Sequence, residues 1–286
     1  TLDGAGRGRF FLRHGDQFDL CGCIAALQGD LAGAVAVAHD AGIHFTTLTL
    51  DGGEEGKADL FSPLDSLEQW IAAHPQHLAR YENGGTIDRA AGQGKLAVGI
   101  RLKGTRALRG EAAAMRQLGR LGLKILTIDS PEDPLWAEIG NGKAGKALLR
   151  AAETASMLLH VDLADTSLAG ALLTAWKGRA VWSLDLAAAA AMPGAVARRL
   201  ADGKAIALLR CRPEDDPGGL LELAAQLPSD RIHISVLGSP ESRELKRMEG
   251  FVSTLHSLAA AKMGREESYK QMEKWCGRNI RRILQP

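Results

Sequence analysis

The stretch GKLAVGIRLKGTRAL, Gly94 to Leu108, decides how this chain folds. Leu96, Val98, Ile100 and Leu102 alternate with Ala97, Gly99, Arg101 and Lys103. A two-residue period is that of a β-strand, whose successive side chains point to opposite faces. One face is large and apolar, while the other is small at first and cationic at its end. A strand with such neighbours is buried on both faces, as in a parallel sheet covered by helices. The lysine at its end therefore needs an explanation.

Working outward, short apolar runs recur between longer helical patterns. Strands are expected at 10–13, 43–50, 96–102, 123–128, 157–163, 180–184, 205–210 and 231–237. Helical spacing marks 107–121, 143–154, 168–176 and 218–227. Alternating strand and helix imply parallel pairing through right-handed crossovers. Eight such units predict an α/β fold, a closed (β/α)8 TIM barrel. An open doubly wound sheet is the alternative, but no Gly-x-Gly-x-x-Gly turn follows the first strand. Two extra C-terminal helices are expected at 242–261 and 266–275, and no linker divides the chain, so residues 1–286 read as a single domain.

Composition narrows the function. Of 286 residues 45% are hydrophobic, enough for a packed core. The 35 Lys+Arg nearly cancel the 34 Asp+Glu, and aromatics are only 5%, which argues against nucleic acid as a partner. Cys21, Cys23, Cys211 and Cys276 show no zinc-finger spacing and read as idle thiols of a reducing compartment. No apolar run is long enough for a membrane span, and the start lacks a signal-peptide core. A cytoplasmic location is expected, with a segment removed before Thr1 left open.

In a barrel of this kind chemistry collects where strands end. The polar residues expected there are His14, Asp16, Asp51, Lys103, Asp129, Asp165 and Asp185. The last strand runs into VLGSPES with no carboxylate before Glu241. DGGEEGKAD, Asp51 to Asp59, reads as a charged loop, and the proline of HPQH (His74, His77) marks a helix boundary. His39 and His44 read as structural. Gly-x-Ser-x-Gly is absent, which disfavours a serine hydrolase.

Several of these segments together resemble the membrane (renal) dipeptidases, zinc peptidases of the amidohydrolase superfamily. FLRHGDQFDL (11–20) looks like the family's His-x-Asp stretch, and GKLAVGIRLKGTRAL is similar to its Gly-Lys…Ile-Glu-Gly…Ala-Leu segment. LGLKILTIDSPEDPLWAE (121–138), LLHVDLADTS (158–167), AVWSLDLAAA (180–189) and CGRNIRRIL (276–284) follow in the family's order.

The resemblance implies a (β/α)8 barrel that holds two zinc ions through a His-x-Asp pair, a bridging glutamate and two histidines. His14 and Asp16 match the pair and would be the metal ligands if any metal binds. Lys103 stands at the glutamate position, and Asp165 and Asp185 fall where the histidines belong. The family's eighth-strand aspartate is replaced by Leu237 or Pro240, and its fourth-strand histidine by Ile128 or Asp129. Arg198 and Arg199 map poorly onto the family's substrate-carboxylate arginine.

These departures follow a charge logic. Zinc supplies positive charge to neutral and anionic donors; an ammonium in its place needs anionic partners. The expectation is that Lys103 pairs with Asp165, Asp185 or Asp16, turning a metal centre into an ion-pair cluster. A second reading has Lys103 carboxylated, completing an oxygen-rich site for manganese or magnesium. In a third the lysine extends to solvent. The first reading makes the chain a non-catalytic barrel without cofactor that binds a protein partner or small peptide-like ligand. The alternative is a metal-dependent dipeptidase, with zinc or manganese as cofactor and Asp165 or Asp185 as catalytic base. A Schiff-base role for Lys103 is a third, lesser possibility. The resemblance also implies a homodimer, and a chain shorter than usual for the family, with its rim loops trimmed, suits a hetero-complex.

Overall fold

The computed structural model describes residues 17–19, 31–40, 43–51, 60–133, 135, 142–163, 165–184, 189, 200, 205–212, 214–236 and 242–275. Its strands are β1 (Gln17–Asp19), β2 (Ile43–Asp51), β3 (Leu78–Arg80), β4 (Leu96–Lys103) and β5 (Leu123–Ile128). They continue with β6 (Leu158–Val161), β7 (Ala180–Leu184), β8 (Ala205–Cys211) and β9 (Ile232–Val236). The helices are α1 (Leu31–Asp40), α2 (Phe61–Ala73), α3 (Gly84–Gly92), α4 (Ala112–Arg120) and α5 (Lys143–Thr154). Then come α6 (Thr166–Ala175), α7 (Pro217–Ala225), α8 (Ser242–Met263) and α9 (Arg265–Glu273).

All nine strands belong to one parallel sheet in the order β1-β2-β4-β5-β6-β7-β8-β9, with β3 also paired to β4. β2 takes one edge of β4 from Ala97 to Lys103. The other edge is shared: β3 pairs with Leu96–Val98 and β5 with Ile100–Lys103.

The alternation in β4 sorts into two cores. Leu96, Val98, Ile100 and Leu102 join the larger one, together with helix residues such as Met115, Leu148 and Leu172. Ala97 joins a smaller core with Phe45, Tyr81, Ile125, Leu158, Val181 and Ile206. Because this smaller core gathers side chains from β2 through β8, the sheet is curled and its concave face is filled. Each fully buried large apolar side chain in these cores contributes roughly 1.5–3 kcal/mol. The small residues of β4 are explained by that filling. A Cβ on Gly99 would stand 3.1 Å from the Phe45 ring and 3.4 Å from Tyr81, whose rings meet edge to face at 4.8 Å.

The expected strands from the second to the eighth are present within one or two residues of their predicted bounds. The expected first strand, 10–13, lies outside the described residues; the strand described there is Gln17–Asp19. β3 was not foreseen. The expected helix 107–121 is split into a one-turn 3-10 helix, Arg106–Leu108, and α4. α8 and α9 form the C-terminal pair, and α2 ends at Ala73 with His74 as its cap. Among the described residues no helix is long and apolar enough to cross a membrane.

Candidate functional site

Concave-facing residues change character along each strand. The lower layer is apolar, with Ile125, Leu158, Val181 and Ile206. Two residues further along, the same period delivers Thr127, His160, Ser183 and, from β4, Arg101. The end layer carries Lys103, Asp129, Asp162 and Arg210.

The middle layer is closed to water. His160 is fully buried, with its Nε2 2.7 Å from Ser183 Oγ and its Nδ1 3.3 Å from Thr127 Oγ1. A neutral imidazole has one donor and one acceptor nitrogen, so two hydroxyls satisfy it without any charge. Burial, reinforced by the Arg101 and Arg210 charges, pushes its pKa down to about 3. Arg101, only 7% exposed, donates from Nε to Thr49 Oγ1 at 2.8 Å.

The end layer is ionic. Lys103 Nζ lies 2.9 Å from Asp129 Oδ2, and Arg210 Nη1 lies 2.8 Å from Asp162 Oδ1. The hydrogen bond to Asp129, then its charge, hold the Lys103 ammonium above the usual lysine range, and Asp51 adds to this. Burial raises the Asp162 carboxyl while the Arg210 guanidinium opposes the rise. Lys103 is 44% exposed and Asp129 28%, so their bond is a rim contact and not a buried ion pair.

The loops that carry these ends are tied together. Asp133, buried, accepts from the Thr105 amide at 2.6 Å, from the Thr105 hydroxyl, and from the Leu135 amide at 3.0 Å. Gly104, at φ 77°, turns β4 out of the sheet and donates to Thr127 O at 2.9 Å. The chain segments just beyond Lys103 and Asp129 are therefore held to one another.

Among the described residues Lys103 pairs with an acid that the sequence reading did not assign to it, and of the three carboxylates expected only Asp165 is described. The acid on it is Asp129, the strand-end residue of the adjacent β5, since β-pairing sets Lys103 opposite Thr127. Asp165 is the N-cap of α6: its Oδ1 accepts from the amides of Ser167 at 2.9 Å and Leu168 at 3.0 Å. His14, Asp16 and Asp185 lie outside the described residues, as do Leu237 and Pro240. His14 and Asp16 precede the strand described at Gln17–Asp19 in the chain. His160, Asp162, Arg101 and Arg210 were not singled out as site residues. For Arg101 the signal was available, because it lies two residues before Lys103 on β4.

Of the five positions that the resemblance assigns to zinc ligands, Lys103 and Asp165 are described, and His14, Asp16 and Asp185 are not. Lys103 directs its Nζ to Asp129 Oδ2 at 2.9 Å, and an ammonium so paired has no electron pair to give a metal. Asp165 spends its Oδ1 on a helix terminus, and both nitrogens of His160 are engaged by hydroxyls. Among the described residues no group of three or more His, Cys, Asp or Glu is arranged to hold a metal ion.

No family model matches the sequence, and no curated protein matches it. Solved structures do. An amidohydrolase from Pseudomonas aeruginosa superposes with a TM-score of 0.70 at 12% identity, over 99% of this chain and 98% of that one. The probable dipeptidase PvdM from the same organism gives 0.71 at 9% identity, over 98% and 97%. A metallo peptidase from Rhodobacter sphaeroides, liganded with a phosphinate mimic of the dipeptide L-Ala-D-Ala, gives 0.65 at 13% identity, over 94% and 98%. The chain has the fold of membrane-dipeptidase-like amidohydrolases.

Proposed function

We propose that this chain is a dipeptidase-like barrel whose metal centre has been replaced by an ion-pair network, and that it binds a ligand or protein partner without hydrolysing it. The observation that carries this reading is the Lys103–Asp129 bond of 2.9 Å, formed by the residue that stands where the resemblance puts the bridging glutamate. Around it the mouth presents Lys103 and Arg210 as cations and Asp129 and Asp162 as anions. A small peptide-like ligand, with a charge of each sign at its termini, suits such a rim. In this proposal β9 closes onto β1 to complete a (β/α)8 barrel, residues 1–286 form a single domain, and the protein works as a homodimer or hetero-complex in the cytoplasm.

Elemental analysis tests it, on protein grown with zinc and manganese and handled without chelator. The expected result is metal far below one ion per chain, with no dipeptide turnover after metal is added back. Near-stoichiometric metal that is lost in His14→Ala, together with dipeptide hydrolysis, overturns it. That outcome would establish the second reading, a metal-dependent dipeptidase with Asp165 or Asp185 as base. The metallo peptidase among the similar structures favours this alternative.

A further inference from the structure

Away from the mouth, on the outer helices, α4 and α5 enclose a groove of about 410 Å³. Its floor is made of small residues, Ala112 and Ala147 among them. Its walls carry Arg116 from α4 and Lys143, Lys146 and Arg150 from α5. The three α5 cations sit at i, i+3 and i+7, so they form one stripe along roughly 10 Å of helix. All four are exposed, and among the described residues none makes an ion pair or side-chain hydrogen bond. A second groove on the other side of α5 shares Lys146 and Arg150 and adds Lys177; its one carboxylate, Glu153, accepts from the Lys177 amide at 2.6 Å.

This clustering is unusual for the chain that carries it. Over the whole sequence positive and negative residues balance to a net charge of +1. Four cations facing one groove without a counter-charge repel one another, and the arrangement becomes favourable when negative charge is brought in from outside. We infer that the α4/α5 groove docks a carboxylate-rich segment of another protein. Alanines on the floor let the backbone of such a segment approach closely, while the cations on the walls meet its acidic side chains turn by turn. No aromatic lines the groove, so it lacks the stacking platform that single-stranded nucleic acid uses. The helical amides of α5 beyond its first turn are already bonded within the helix, so this is not a phosphate cradle built from backbone. The inference does not depend on what happens at the mouth.

The test is fluorescence anisotropy with a labelled glutamate-rich peptide, its glutamine counterpart and a labelled RNA oligonucleotide, all on the full chain. Binding of the glutamate peptide is expected, with no binding of the glutamine form. Raising salt from about 50 to about 300 mM should weaken it by roughly tenfold or more. K146E/R150E should lose binding, K146Q/R150Q should lose most of it, and K262E/R265E, a charge-matched change on α8 and α9, should retain it. Circular dichroism confirms that each variant is folded, and the neutral pair serves if the reversed pair is not. Equal loss in K262E/R265E would mean that only overall charge matters and would overturn the assignment. So would equal binding of the two peptides, or RNA displacing the acidic peptide from the groove.

Discussion

On strand β6 and just beyond it, His160 and Asp162 stand two residues apart on the concave side, yet they obey opposite electrostatic rules. The histidine is an uncharged ring held by two hydroxyls with no exposure to water. The aspartate keeps a guanidinium partner and stays partly open to solvent. The neighbouring β5 repeats the contrast, with Thr127 below Asp129. A charge survives near the mouth because solvent and a partner share its cost, whereas a step deeper the same face tolerates polarity only as neutral hydrogen bonds. Arg101 is the exception, a guanidinium at depth whose charge helps keep His160 neutral.

The contrast can be broken most sharply below both layers. Phe45→Ala empties the apolar floor and should destabilise the protein by about 3–5 kcal/mol in urea unfolding. A loss under about 1 kcal/mol would mean that the concave face is not a packed core.

Acid is the next lever. The folded-state pKa of His160 and of His233 is about 3 in each case, both lowered chiefly by burial from 6.5. Below pH 6.5 the unfolded chain takes up protons that the folded one refuses, so stability falls as pH drops from about 6.5 towards 3. The fall approaches about 1.4 kcal/mol per pH unit for each ring. Urea midpoints measured from pH 7 to 4.5 should decline accordingly, and His160→Gln should show a shallower slope. An unchanged slope would place the proton uptake elsewhere.

Asp165 supplies a smaller effect. As the cap of α6 it should cost about 1 kcal/mol when changed to alanine, with Asp165→Asn recovering much of the loss. If asparagine instead abolished a ligand-binding signal while stability held, the carboxylate would be part of the mouth after all.

The smallest effect is expected at Lys103. Its bond to Asp129 is a rim contact, so Lys103→Met should change stability by under about 1 kcal/mol near neutral pH. The folded pKa of Lys103 lies above its ordinary value, so this contribution is complete below about 10.5 and disappears as pH rises through the raised value. Thermal melts of both proteins from pH 7 to 11 would check it, and a gap that widens towards high pH would refute the assignment.

How much of this was legible differs by scale. The alternation of Leu96–Lys103 announced both the strand and the two cores that flank it. β1 and β3 are three residues each, too short for a period to register. At the site, reading strand ends found Lys103 and Asp129 but did not pair them. Sheet neighbours, and not remote strands in a family pattern, decide which side chains meet. Asp165 shows the converse, because Asp165-Thr166-Ser167 ahead of an apolar run is a helix-start signal that a functional reading concealed. His160 lay inside a strand rather than at its end, and only the period linked it to the mouth.

Asp133 has a dynamic consequence. Through one buried carboxylate it holds Thr105, after β4, and Leu135, after β5. The two segments cannot open independently without stranding an acceptor in the interior. Their amides should therefore exchange with deuterium as one cooperative unit, at a common opening free energy. In Asp133→Ala both amides should lose protection together, and the rim would fluctuate as two loose ends where it now moves as one.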